Sequence, residues 1–160
     1  MTSNEIAFPT SRAALVSLVA AAAVIAAARG RAQPWPAMTV HKDPNCGCCA
    51  AWVEHVSAAG FAVSVVETDR LDAVRTRLGV PPDLAACHTA EIGGYVIEGH
   101  VPAGAIARLL AEKPAGTGLA VPGMPAGSPG MGGSPESYEV VLFGAQGRRT
   151  FARYRGAREI

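Results

Sequence analysis

The stretch MTVHKDPNCGCCAAWVEHVSAAG, from Met38 to Gly60, decides the fold. Its first five residues, Met38 to Lys42, read as a short strand, and Asp43-Pro44-Asn45 breaks that strand into a loop. Three cysteines follow within four residues, Cys46, Cys48 and Cys49, at the point where a helix running from about Cys48 to Ala59 begins. Cys49, Val53 and Val56 recur at i, i+4 and i+7 with Trp52 beside them, which gives the helix one apolar face, and Gly60 closes it as a C-terminal cap. A thiol at a helix start lies near unpaired backbone N–H groups and the positive end of the helix dipole, so its thiolate form is favoured. Thiolates are what soft metals and disulfide exchange both require.

Working outward, Phe61 to Glu67 is a second strand whose Val63, Val65 and Val66 are β-branched and suited to burial. Asp69 can cap a second helix, Leu71 to Leu78, which Gly79 and the Pro81-Pro82 pair terminate. After an irregular turn over Asp83 to Ala86, Thr89 to Ile92 and Tyr95 to Glu98 flank Gly93-Gly94, the signature of a tight hairpin. A third helix runs from about Pro102 to Lys113 and stops at Pro114. The order βαβαββα is an α/β arrangement with the thioredoxin-like layout. Residues 115–135 hold seven glycines among several prolines and read as one long loop. Tyr138 to Phe143 and Arg149 to Tyr154, around Gln146-Gly147, add a C-terminal β-hairpin.

That layout predicts a convergence. The first strand ends at the sheet edge that carries the cysteine loop, and the antiparallel third strand begins there, so Cys87 and His88 face Cys46, Cys48 and Cys49. A two-residue turn at Gly93-Gly94 pairs Ile92 with Tyr95 and therefore Cys87 with His100. The candidate metal ligands are thus Cys46, Cys48, Cys49, Cys87, His88 and His100. Met124 and Met131, in the glycine- and proline-rich loop, can swing over the thiols as further soft ligands or dock on the sheet as apolar plugs. Thiolates with imidazole suit zinc or copper, and added thioethers tilt the choice towards monovalent copper. His55, six residues beyond Cys49, reads as exposed or structural, and His41 on the first strand is not counted among the ligands.

The chain has 160 residues. Residues 1–32 read as a cleaved export signal: Arg12 precedes a 16-residue apolar run, Ala13 to Ala28, and Gly30-Arg31-Ala32 is a small-x-small cleavage site. The competing reading, a membrane anchor, calls for about 20 apolar residues. Residues 33–160 then form a single metal-binding domain in the periplasm, with no membrane association after cleavage. Without the leader the balance is 11 basic against 12 acidic side chains, and no basic stripe points to a nucleic-acid partner. An oxidising compartment makes two structural disulfides the competing reading of four cysteines. Against it, the adjacent Cys48 and Cys49 resist bridging each other, and three close thiols with one outside partner leave strain or a free thiol.

The segments Cys46-Gly47-Cys48-Cys49-Ala50-Ala51-Trp52-Val53-Glu54-His55, Cys87-His88-Thr89-Ala90, Tyr95-Val96-Ile97-Glu98-Gly99-His100-Val101-Pro102 and Gly123-Met124-Pro125 through Gly130-Met131 resemble the CopG-like family. Its members are exported, thioredoxin-like Cys-x-Cys-Cys proteins, long carried as a domain of unknown function and linked to copper resistance. The resemblance spans about residues 38–154. It implies copper binding by Cys46, Cys48, Cys49, Cys87 and His88, with Met124 or Met131 nearby. The expected function is an exported protein that coordinates Cu(I) at this cluster in copper homeostasis or resistance and meets other exported copper-handling proteins. The alternative is a thioredoxin-like thiol-disulfide or copper oxidoreductase, for which Cys46 and Cys49 have the Cys-x-x-Cys spacing. A structural zinc ion is the third option.

Overall fold

The computed structural model describes residues 35–160, and the leader expected over residues 1–32 lies outside the described residues. Eight strands and three α-helices follow in the order β1 (Met38–Lys42), α1 (Gly47–Ala58), β2 (Val63–Glu67), α2 (Leu71–Leu78), β3 (His88–Ile92), β4 (Tyr95–Glu98), α3 (Ala103–Glu112), β5 (Gly118–Ala120), β6 (Ser137–Gly144), β7 (Gly147–Arg155) and β8 (Arg158–Glu159). A 3-10 turn, Pro82–Leu84, leads into β3. The α/β class and the element order βαβαββα run as expected from β1 to α3.

All strands join one sheet in the order β2-β1-β3-β4-β5-β6-β7-β8. The crossover through α1 makes β1 and β2 parallel, and β3 returns antiparallel to β1. Gly93 and Gly94 turn the β3–β4 hairpin with φ of 56° and 85°, which only glycine adopts freely, and Ile92 pairs with Tyr95 as the two-residue turn requires.

The larger core cluster gathers Trp52 and Val56 from α1, Ile106 and Leu109 from α3, and Met38, Val40, Ile92, Ile97 and Leu119 from the sheet. Trp52 is fully buried. An indole of that size contributes on the order of 4–6 kcal/mol of apolar burial. A smaller cluster gathers Val80, Leu84, Val96, Ala120 and Phe143. On α1 the buried residues are Cys49, Trp52 and Val56, while Val53 is half-buried at the margin.

Three expectations need correction. Val65 and Val66 are 42% and 43% exposed, because β2 is the outer strand of the sheet with one neighbour instead of two. Asp69 does not cap α2: Arg70 is the N-cap, it makes no side-chain cap, and its N–H is met by the Thr68 hydroxyl at 3.0 Å. The segment 115–135 is not wholly irregular. It contains β5, which pairs parallel with β4 and antiparallel with β6, so the C-terminal hairpin continues the main sheet.

Candidate metal centre

The candidate site lies where β1 and β4 end and where α1 and β3 begin. Cys46 is the N-cap of α1 in extended conformation, and Cys48 and Cys49 fall in its first turn. Across the sheet, Lys42 at the end of β1 pairs with His88, and Thr89 pairs with Glu98. Continuing that register beyond the strands sets Cys87 opposite His100, and the Cys87 Sγ lies 3.0 Å from His100 Nε2.

Cys46 and Cys49 are joined by a disulfide, whereas Cys48 and Cys87 are free and half-exposed. The Cys48 Sγ is 3.5 Å from Cys46 Sγ and 4.0 Å from Cys87 Sγ. The Cys87 Sγ is also 3.4 Å from His88 Nδ1. Two groups of donors, Cys46-Cys48-Cys49-Cys87 and Cys87-His88-His100, each draw together within 4.8 Å and share Cys87. Six of the eight residues expected at the site are therefore brought together.

The two histidines are prepared differently. His100 Nδ1 is 2.7 Å from the Pro129 carbonyl, which can only accept, so Nδ1 carries the proton and Nε2 turns its lone pair towards Cys87. A carbonyl on the far nitrogen is the usual way a metal-ligating imidazole is oriented. His88 is fully buried, its ring 4.3 Å from that of Trp52 and 5.1 Å from that of His100. Its Nε2 has no hydrogen-bond partner among the described residues. Burial, reinforced by His100, pushes the His88 pKa down to about 3, and burial also lowers that of His100. Both imidazoles are neutral near pH 7, the state that ligates metal. Burial, followed by the neighbouring Cys48, pushes the Cys87 thiol up to about 12. Without a metal it keeps its proton, and a metal bound there would displace that proton.

The glycine- and proline-rich loop lies against this site. Gly130 has φ of 85°, and a Cβ there would stand 2.7 Å from both the Cys48 carbonyl oxygen and the Trp52 nitrogen, so the loop backbone approaches the start of α1 as only glycine allows. Ser128 is buried, and its hydroxyl donates to the Pro125 carbonyl at 2.7 Å. Met131, next in the chain after Gly130, is half-buried, whereas Met124 is 58% exposed.

Other positions take structural roles. His55 Nε2 accepts from the Ala103 N–H at 3.1 Å, satisfying the first turn of α3, where the N-cap Pro102 supplies no side-chain acceptor. His41 pairs with Glu91 at 3.1 Å.

The arrangement that sequence reasoning missed is a buried ion pair behind Cys87. Glu98 is fully buried; one oxygen accepts from the Ala86 N–H at 2.7 Å and Arg75 Nε at 3.0 Å, and the other accepts from the Thr89 hydroxyl at 2.6 Å. Arg75 also donates to the Ala86 carbonyl. Both main-chain polar groups of Ala86, the residue preceding Cys87, are thus tied to one carboxylate–guanidinium pair. Burial pushes the Glu98 carboxyl up, against the pull of Thr89, Ala86 and Arg75. The available signal was a charged residue closing an otherwise apolar strand opposite Thr89.

Residues 84–131 match the family model described as "Protein of unknown function, DUF411". A solved structure called "Copper resistance protein copG- Form 2" is 45% identical, with a TM-score of 0.69, the match covering 74% of this chain and 98% of that one. A second, "Copper resistance protein copG- Form 1", is 44% identical, with a TM-score of 0.70, and the match covers 76% of this chain and 99% of that one. No curated protein matches. Since nearly the whole length of these solved chains is matched at such identity, and the DUF411 segment holds Cys87, His88, His100 and the loop that meets α1, the chain belongs to the CopG-like family.

Proposed function

We propose that this chain handles copper in the periplasm, coordinating cuprous ion through Cys46, Cys48, Cys49 and Cys87, with His88 and His100 alongside, in copper homeostasis or resistance. The observation that carries this reading is the convergence of three other cysteine sulfurs and two neutral imidazoles on Cys87. Such a donor set fits a soft cation: thiolates stabilise the cuprous state, and His88 presents its Nδ1 to the cluster, 3.4 Å from the Cys87 sulfur. The name carried by the two solved relatives favours copper over zinc as the cargo. Met131, beside the loop's contact with α1, is the better placed of the two methionines to add a thioether. The leader expected over residues 1–32 supports export, and exported copper-handling proteins are the partners this reading implies.

With Cys46 and Cys49 joined, Cys48, Cys87 and the imidazoles remain as donors. Opening that bond takes two electrons and two protons and gives two more thiols, whose protons a bound metal would displace to complete the thiolate set. The same disulfide favours a second reading, an oxidoreductase in which Cys46 and Cys49 exchange disulfides or pass electrons to copper.

Anaerobic titration of reduced residues 33–160 with cuprous ion against a competing chelator tests the proposal. Tight uptake with all four thiols protected from alkylation is expected. Weak uptake together with rapid reduction of a test disulfide would overturn it in favour of the second reading.

A further inference from the structure

We propose that Cys48 and Cys87 are a second redox-active dithiol, so that the site stores four electrons rather than the two of Cys46 and Cys49. With the first pair closed, the chain's two remaining cysteines face each other with sulfurs 4.0 Å apart, one in the first turn of α1 and the other just before β3. Bond formation requires a further approach of about 2 Å. Both residues are half-exposed, so a small oxidant reaches them. His100 Nε2, 3.0 Å from the Cys87 sulfur with its other nitrogen committed to Pro129, accepts from the Cys87 thiol and orients it.

The three sulfurs also form a path. Cys48 stands between the disulfide and Cys87, 3.5 Å from the Cys46 sulfur on one side and 4.0 Å from the Cys87 sulfur on the other. Attack by the Cys48 thiolate on the Cys46 sulfur breaks the Cys46–Cys49 bond, forms Cys46–Cys48 and releases Cys49 as thiolate. Attack by Cys87 on the Cys48 sulfur then forms Cys48–Cys87 and releases Cys46. Each step breaks one S–S bond and makes one; in the first a thiolate replaces a thiolate, and in the second the Cys87 proton passes to the leaving Cys46 sulfur. The disulfide moves from the loop to the strand with no outside oxidant. Oxidising the freed Cys46 and Cys49 again releases two electrons and two protons. Two cupric ions take up these electrons and become cuprous, or one small organic disulfide is reduced to two thiols.

The test is exhaustive oxidation of the reduced protein by glutathione disulfide, followed by alkylation and a tryptic map under non-reducing conditions. Cleavage after Lys42, Arg70, Arg77 and Arg108 places Cys46, Cys48 and Cys49 on residues 43–70 and Cys87 on residues 78–108. The expected result is loss of all four alkylatable thiols and a link between the two peptides. That link persists in C46A/C49A and disappears in C48A. A Cys87 that stays alkylatable in the unmodified protein would overturn the proposal, as would a link that survives C48A, which would assign Cys87 to a sulfur of the first pair. The pairing rests on the copper reading only for its cupric oxidant. A protein that forms the link with glutathione disulfide yet takes up no cuprous ion keeps the second dithiol and loses the copper reading.

Discussion

Removing the carboxylate behind Cys87 should damage the fold more than any single exposed ion pair. In Glu98→Ala the Arg75 guanidinium, whose side chain is 12% exposed, loses its buried counter-charge and keeps only the exposed Asp72 carboxylate at 2.9 Å, and the Ala86 N–H and Thr89 hydroxyl lose their acceptor. Breaking a buried pair from one side typically costs about 3–5 kcal/mol, much of it the penalty of the abandoned charge. The two orphaned donors act within that figure, because water entering the vacated space can serve them in part. Glu98→Gln retains an oxygen for Ala86 and an amide for the Thr89 hydroxyl, so its loss should be about 1–2 kcal/mol, the difference between a charged and a neutral set of hydrogen bonds. Urea unfolding of metal-free, reduced protein followed by tryptophan fluorescence measures both, since Trp52 is buried in the core. The carboxyl is held up by its burial, which marks desolvation as outweighing attraction. A double Arg75→Met, Glu98→Leu variant should therefore lose less than Glu98→Ala alone. A Glu98→Ala loss below about 1 kcal/mol would refute the reasoning, because no buried charge would then have been stranded.

Gly130→Ala should loosen the loop from α1: the left-handed φ costs about 1–2 kcal/mol, and the new Cβ meets the Cys48 carbonyl and the Trp52 nitrogen at 2.7 Å. Limited proteolysis should then cleave within residues 122–135 faster than in the parent, and unchanged cleavage would count against the docking. In metal-free, reduced protein the melting temperature should fall as the pH drops below about 6.5. The pKa values of His55, His88 and His100 are all lowered in the folded state, so the unfolded chain binds more protons there, and stability present above 6.5 is lost below it. Glu98 works in the opposite sense, so the difference between parent and His55→Gln is the readout. Gln retains an acceptor for the Ala103 N–H and does not titrate, so the variant's slope should be shallower, and identical slopes would remove His55 from the account.

The fold was legible where local chemistry and tertiary demand agree. The cysteine loop, the Gly93-Gly94 turn and the proline-bounded α3 each carry a local stop or turn signal, and once the turn length is known the pairing of Ile92 with Tyr95 follows from period-two geometry. It was not legible where glycine serves a strand. A Cβ at Gly118 would collide with the Val96 carbonyl, so glycine is what lets β5 lie beside β4, yet composition counts the same residue as loop. The exposed valines of β2 are the converse case. β-branching predicts a strand, but which strand is outermost is set by where β3 inserts, and nothing within residues 61–67 encodes that.

The site divides along the same line. The residues that carry soft-donor chemistry were found because cysteine and histidine declare it and the register brings them together. What sets the state of those residues could not be found this way, because it comes from main-chain atoms and from a charge elsewhere in the sequence. Pro129 fixes the tautomer of His100 with a carbonyl, which any residue supplies. Gly130 brings the loop onto α1 by lacking a side chain. Arg75 and Glu98, 23 residues apart, hold Ala86, the residue before Cys87, through its N–H and C=O. Cys87 is the residue on which these influences meet: it belongs to both donor groups, its thiol is kept protonated by burial, and it stands next to Ala86, which the ion pair grips. A change at Arg75 or Glu98 therefore reaches the thiols by moving Cys87 relative to Cys48, without altering any sulfur or imidazole.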